Sequence, residues 1–170
     1  MRQLILMRHG KAETASDRGD RARVLSPRGR AEAAEAGRRL AALARPDLAI
    51  VSDSARTRET FESAAPAFDP VVPHRFIGAL YGATADAILA EVRATPSDVE
   101  RLLVVGHNPG IGELARRLAG AGEPARLARL AEAFPTSCFA ILDLDAVVWS
   151  EVGAAGRLAF LLGADERRKA

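Results

Sequence analysis

Cysteine is almost missing from this chain. Cys138 is the only one, so no internal disulfide framework can form; set in an apolar run, it reads as a small buried residue. Lysine is nearly absent too. Lys11 and Lys169 are the only two, and the positive charge is almost all arginine. The net charge of +2 is too small to argue for a nucleic-acid partner. Aromatics make up 5% of the chain, and no basic stretch interleaves with them in the way that stacks bases. No run approaches the ~20 apolar residues that span a bilayer. The N-terminus carries neither the long apolar segment nor the cleavage site of a secretory signal. These shortages predict a cytoplasmic protein with no nucleic-acid and no membrane partner. With three histidines and no clustered ligand spacing, neither a metal nor a cofactor is expected.

What is present describes one domain. The chain has 170 residues, 48% apolar and 27% charged, enough for a single α/β core. Apolar runs at 4–7, 48–51, 71–76 and 102–105 predict strands, the last apolar enough to be central in a parallel sheet. Helical patterns separate them. Ser26-Pro27 is a helix start, serine as cap and proline at the first turn. Ala33, Ala36, Leu40 and Leu43 then share a face, until Arg45-Pro46 stops the helix. Further helices are predicted from Ser54 to about residue 65, from Thr84 to 94 with Ile88, Leu89 and Val92 as the apolar stripe, from Asn108-Pro109 to 119, and over 123–134. Residues 12–25 read as a polar loop. After 134 the alternation ends, and strand-like segments at 137–144, 147–152 and 157–162 follow without helices between them. The expected fold is an α/β, three-layer αβα sandwich, its sheet mostly parallel with an antiparallel C-terminal margin. The expected domain covers 1–164, and 165–170 is a charged tail.

The strand ends carry the chemistry. Arg8-His9-Gly10 follows the first strand, and Gly106-His107-Asn108-Pro109 follows the fourth. Ser52-Asp53-Ser54-Ala55-Arg56 follows the second. Ligands of open parallel sheets sit outside the carboxyl ends of the strands, so two histidines and two arginines converge on one edge. Imidazole is a nucleophile that is substantially neutral near pH 7, and guanidinium forks match phosphate oxygens two at a time. His9 is the candidate nucleophile. Arg8, Arg56 and His107 are candidate phosphoryl ligands, His107 adding a donor and a positive charge if protonated. Gly10 removes a side chain where the backbone can approach the phosphate. Peptide N–H groups at the start of the Pro109 helix can add to an anion site. Each motif alone has an ordinary reading: Gly-His-Asn-Pro can be a turn with an asparagine cap, and an arginine in the first turn after Ser54 can be solvated. Lys11 and Ser52 read as supporting groups. Arg18, Arg21 and Arg23 can rim the pocket or be solvated. Arg58 reads as surface, His74 as a strand histidine, and Tyr81 and Trp149 as packing residues.

Taken together, these motifs resemble the histidine phosphatase, or phosphoglycerate mutase-like, superfamily, and within it the short SixA-type phosphohistidine phosphatases. The resemblance runs through Arg8-His9-Gly10, Leu25-Ser26-Pro27-Arg28-Gly29-Arg30, Ser52 to Thr60, Leu80-Tyr81-Gly82 and Gly106-His107-Asn108-Pro109-Gly110. It implies that His9 accepts the phosphate, that Arg8, Arg56 and His107 bind it, and that no metal takes part. Two departures stand out. Mutase-like members have an asparagine six residues after the first histidine, where this chain has Ala15. They also have a glutamate proton donor after the third strand, where 77–82 contains no carboxylate. An open site without a built-in acid favours a phosphohistidine-bearing protein, since imidazole leaves more readily than an alkoxide. A small phosphate ester, with Glu13, Asp17 or Asp86 as acid, and a non-catalytic phosphate-binding module are the alternatives. The sequence leaves the oligomeric state open.

Overall fold

The first apolar run forms strand β1 (Arg2–Arg8), with Leu4, Ile5, Leu6 and Met7 fully buried. Side chains alternate across a strand, and here both faces are covered. Leu4 and Leu6 enter one core, Ile5 and Met7 the other. The computed structural model describes residues 1–162; the predicted tail at 165–170 lies outside them. Helix α1 (Pro27–Ala44) starts where expected, with the Ser26 hydroxyl accepting from the Gly29 N–H at 3.0 Å. Ala33, Ala36 and Leu40 are buried as expected. Leu43 is 51% exposed, and Gly37 and Ala44 complete the stripe instead. Gly37 lets α1 lie directly on α2 (Ala55–Ala64), since a Cβ there would stand 2.6 Å from the Ala64 backbone.

The other elements are β2 (Leu48–Ser52), β3 (His74–Ile77), α3 (Ala85–Arg93), β4 (Arg101–Gly106), α4 (Gly110–Leu118), β5 (Ala119–Gly122), α5 (Pro124–Glu132), β6 (Phe139–Leu144) and β7 (Gly156–Leu161). The sheet order is β3-β2-β4-β1-β6-β7-β5. The β3, β2, β4 and β1 strands run parallel, with β4 central among them. The β6 strand is antiparallel to both β1 and β7. One core lies under α3, α4 and α5 and holds Ile88, Leu114 and Leu130. The other lies under α1 and α2 and holds Leu40 and Phe61. This is the predicted three-layer sandwich with an antiparallel margin. Among the described residues, no helix is long and apolar enough to cross a membrane.

Three expectations need correction. The third strand starts at His74 rather than at 71, because Pro70 and Pro73 have no N–H to give a ladder; Pro73 contributes only its carbonyl, to Ala49 N–H at 2.9 Å. Residues 147–152 form no strand. They hold a short 3₁₀ turn, Trp149–Glu151, that buries the indole completely and gives its Nε1–H to the Val99 carbonyl at 2.7 Å. The β5 strand was not expected at all. Its sequence, Ala-Gly-Ala-Gly, has no apolar period to read, and it forms by pairing parallel with β7.

Candidate functional site

Because β1, β2 and β4 are adjacent and parallel, their carboxyl ends meet on one edge. Arg8 closes β1 opposite Gly106, and the His9 N–H bonds the Gly106 carbonyl at 3.1 Å. His107 is the next residue after β4. Ser52 closes β2, and Ser54 caps α2, which puts Arg56 in the first helical turn. The two imidazoles therefore face each other, ring centroids 5.2 Å apart at a 57° tilt. Sequence reasoning brought these four side chains to one edge, and the fold brings them into one cavity of about 290 Å³ with Lys11 and Arg23 at its rim. A larger cavity of about 580 Å³ lies between α2 and β3, but its lining is largely apolar and no arginine or paired imidazole enters it.

His9 is buried, and its Nδ1 lies 2.8 Å from the Gly10 carbonyl oxygen. A carbonyl only accepts, so Nδ1 carries the proton and Nε2 keeps its lone pair. Burial, with the positive charge of His107, Arg56 and Arg8 adding to it, depresses the His9 pKa to about 3 against the opposing pull of Gly10. Burial and then Arg56 depress His107 to about 4, with Asp20 opposing. Both shifts favour the neutral ring at pH 7. A dianion arriving among these groups raises the pKa of His107 by its own charge. Nε2 of His107 is 2.8 Å from the Ser52 hydroxyl, with both side chains buried.

Arg56 is 6% exposed, so the solvated reading fails. Its Nη1 donates to the Asp20 carbonyl at 2.9 Å and its Nη2 to the Asp20 carboxylate at 3.1 Å. Thr60 ties this helix to the loop after β1: its hydroxyl donates to the Arg56 carbonyl at 2.6 Å and accepts from the Gly10 N–H at 2.9 Å. Arg8 donates to the Phe134 carbonyl at 3.3 Å, and Asn108 donates to the same oxygen at 2.8 Å. Nε of Arg8, Nε of Arg56 and Nδ1 of His107 are buried without a hydrogen-bond partner. Leaving such groups unpaired costs on the order of 1–3 kcal/mol each. Arg8, His9, Arg56 and His107 line one cavity, an arrangement of guanidinium and imidazole groups that can take an anion.

Several residues take parts other than those expected. The N–H of Gly10 is committed to Thr60 and its carbonyl orients His9, while a Cβ there would meet the Gly29 carbonyl at 2.9 Å, not a ligand. Asn108 does not cap α4, whose cap position is Pro109. The Ile111 N–H in the first turn is taken by the His107 carbonyl at 2.9 Å. Arg58 points away from the site, as expected, but is half-buried: it bonds the Asp53 carbonyl and lies 3.9 Å over the Phe76 ring. Asp86 is on α3, paired with Arg117 at 2.5 Å. Asp20 and Tyr81 were missed. The Tyr81 ring stands perpendicular to His107, centroids 5.5 Å apart, and its hydroxyl donates to the Asp20 carboxylate. Asp20 sits in a polar, arginine-rich loop where no periodicity distinguishes one carboxylate from another. Tyr81, the only tyrosine, follows the third strand, and that position was the available signal.

Comparison with known proteins places the chain in a family. The profile of the histidine phosphatase superfamily (branch 1) matches residues 4–80. An uncharacterized protein of Mycobacterium tuberculosis is 38% identical over 149 residues, covering 86% of this chain and 91% of its own. A protein of Nakamurella multipartitia named for the phosphohistidine phosphatase SixA superposes with a TM-score of 0.81 at 31% identity, over 95% of both chains. Another so named, from Agrobacterium tumefaciens, gives 0.79 at 30% identity over 95% of this chain and 97% of its own. The chain belongs to the histidine phosphatase superfamily and is a phosphatase of that class. Within the superfamily it is of the SixA type.

Proposed function

We propose that this chain removes phosphate from a phosphohistidine carried on a protein, through a covalent intermediate on His9. The observation that carries this reading is the state of His9: neutral, buried, with Nδ1–H held by the Gly10 carbonyl so that Nε2 is free to attack. Arg8 and Arg56 bind the phosphoryl oxygens, and His107 joins them as the anion arrives. In the first step Nε2 of His9 forms a bond to phosphorus, and the bond to the leaving group breaks with its electron pair. In the second step water attacks phosphorus and the His9 nitrogen leaves. The phosphohistidine assignment rests on leaving-group chemistry and on the SixA-named relatives. No carboxylate lies in 77–82, and an imidazole leaves without the positioned acid that an alkoxide needs.

The test is phosphate release by wild type and His9→Ala, on a histidine-phosphorylated phosphotransfer protein and on an alkyl phosphomonoester in parallel. The expected result is faster release from phosphohistidine and an inactive variant. Preference for the alkyl ester supports a small-molecule phosphomonoesterase. Phosphate binding without turnover on either supports a binding module.

A further inference from the structure

The mechanism above leaves one carboxylate at the site unused. Asp20, in the loop between β1 and α1, bonds Arg23 and Arg56, which both line the cavity, and is held from several sides. Its Oδ1 accepts from Arg23 at 2.9 Å. Its Oδ2 accepts from Arg56 at 3.1 Å and from the Tyr81 hydroxyl, and its carbonyl takes a second Arg56 bond at 2.9 Å. Arg21, paired with Asp53 at 2.7 Å, lies 4.4 Å over the Tyr81 ring, and His107 stands perpendicular to that ring, centroids 5.5 Å apart. The charged and titratable groups facing Asp20 are therefore Arg23, Arg21, Arg56, Tyr81 and His107. Tyr81 first, then Arg23 and Arg56, hold its carboxyl well below the usual carboxylate range. Despite these partners its side chain is 52% exposed, so solvent and a ligand can approach it.

We propose that the Asp20 carboxylate recognises the imidazole of the substrate, accepting a hydrogen bond from the ring N–H distal to the P–N bond. This rests on the phosphohistidine reading above. Phosphohistidine is most reactive when its distal nitrogen is protonated. His9 Nε2 then forms the new P–N bond, and the breaking bond leaves its electron pair on the substrate ring nitrogen. The proton stays at the distal nitrogen, and neutral imidazole departs with no proton delivered to the scissile atom. An ordinary imidazole nitrogen titrates near ~6.5, so at pH 7–8 most of the substrate lacks that proton in solution. A fixed anion beside the ring favours the protonated form. Asp20 adjoins Arg56, the candidate phosphoryl ligand, so a ring extending from the bound phosphorus passes its edge. A permanently ionised carboxylate is no use as an acid. It suits a group that keeps a proton on the substrate, which is how this site manages without a general acid at 77–82.

The test compares wild type, Asp20→Asn and Asp20→Glu on a histidine-phosphorylated protein and on an aryl phosphomonoester, from pH 6 to 8.5. Thermal midpoint and inorganic phosphate affinity report on the fold and the phosphoryl site. The expected result for Asp20→Asn is a phosphohistidine-to-aryl selectivity about tenfold lower at pH 8. The deficit narrows toward pH 6, where solvent protonates the ring, and Asp20→Glu recovers most of the selectivity. Equal loss on both substrates makes Asp20 a structural latch and overturns the proposal. Equal gain makes it a competitor for Arg56, with the same consequence. If wild type releases phosphate from the aryl ester but not from phosphohistidine, the substrate reading itself fails and the proposal goes with it.

Discussion

The Ser52 hydroxyl, at the end of β2, stands 2.8 Å from Nε2 of His107, just past the end of β4, and both side chains are buried. Strand pairing brings the two together, since Val51 and Val105 are register partners, one residue before Ser52 and two before His107. The contact fixes the His107 ring plane and therefore where its other nitrogen points. Removing the hydroxyl leaves a buried ring nitrogen unpaired, at about 1–3 kcal/mol. Ser52→Ala is expected to lower kcat by about 10- to 100-fold with little change in KM. Ser52→Thr keeps the hydroxyl and restores part of the loss. Steady-state kinetics on both variants checks this.

Arg56 presents a planar fork from inside the protein, anchored by Asp20 on one side. Lysine offers a compact point charge without the planar fork that pairs with two oxygens at once. Arg56→Lys is expected to lose about 10²- to 10³-fold in kcat. Single-turnover phosphate release measures it, and activity within a few fold of wild type would remove Arg56 from the chemistry.

The two histidines also make stability depend on pH. In the unfolded chain they titrate near ~6.5, in the folded one near 3 and 4. Between these values the unfolded state binds more protons, so stability rises with pH across that window and is lost on acidification below about 6.5. The thermal midpoint should fall from pH 6.5 to pH 4. His107→Gln should flatten the slope, and inorganic phosphate should oppose the fall in wild type. A midpoint independent of pH in this range contradicts the buried neutral rings.

Packing predictions separate the core from the site. A Cβ at Gly29 would stand 2.0 Å from the Lys11 carbonyl oxygen, a backbone atom that cannot swing aside. Gly29→Ala is therefore expected to destabilise by about 1–3 kcal/mol and to disturb the nucleophile loop, lowering activity as well. Trp149 is completely buried far along the chain from either histidine. Trp149→Ala is expected to cost about 3–5 kcal/mol while the folded fraction keeps its turnover. Denaturant unfolding read beside kinetics distinguishes the two behaviours.

The parallel half of the sheet was legible because its strands are buried on both faces and read as continuous apolar runs, Leu4–Met7 and Leu102–Val105 among them. Capping serines at 26 and 54 and the threonine at 84 marked three helix starts, and all three side chains accept the expected bonds. Site residues at strand ends were legible for the same reason. What escaped depends on long-range contacts. The Ala119–Gly122 strand exists because β7 offers an edge, and the turn at Trp149 exists because Val99 offers a carbonyl. Asp20 joins the site only because Tyr81 and Arg56, 61 and 36 residues away, meet it there. Local sequence carries no signal for such meetings.

The central claim is that phosphate passes through His9. The most direct measurement is rapid quench of the enzyme with a histidine-phosphorylated protein bearing labelled phosphate, followed by mapping of the labelled enzyme residue. An acid-labile, alkali-stable label on the peptide containing His9, absent in His9→Ala, is the predicted result. Label on another residue, or sustained turnover by His9→Ala, would contradict the account.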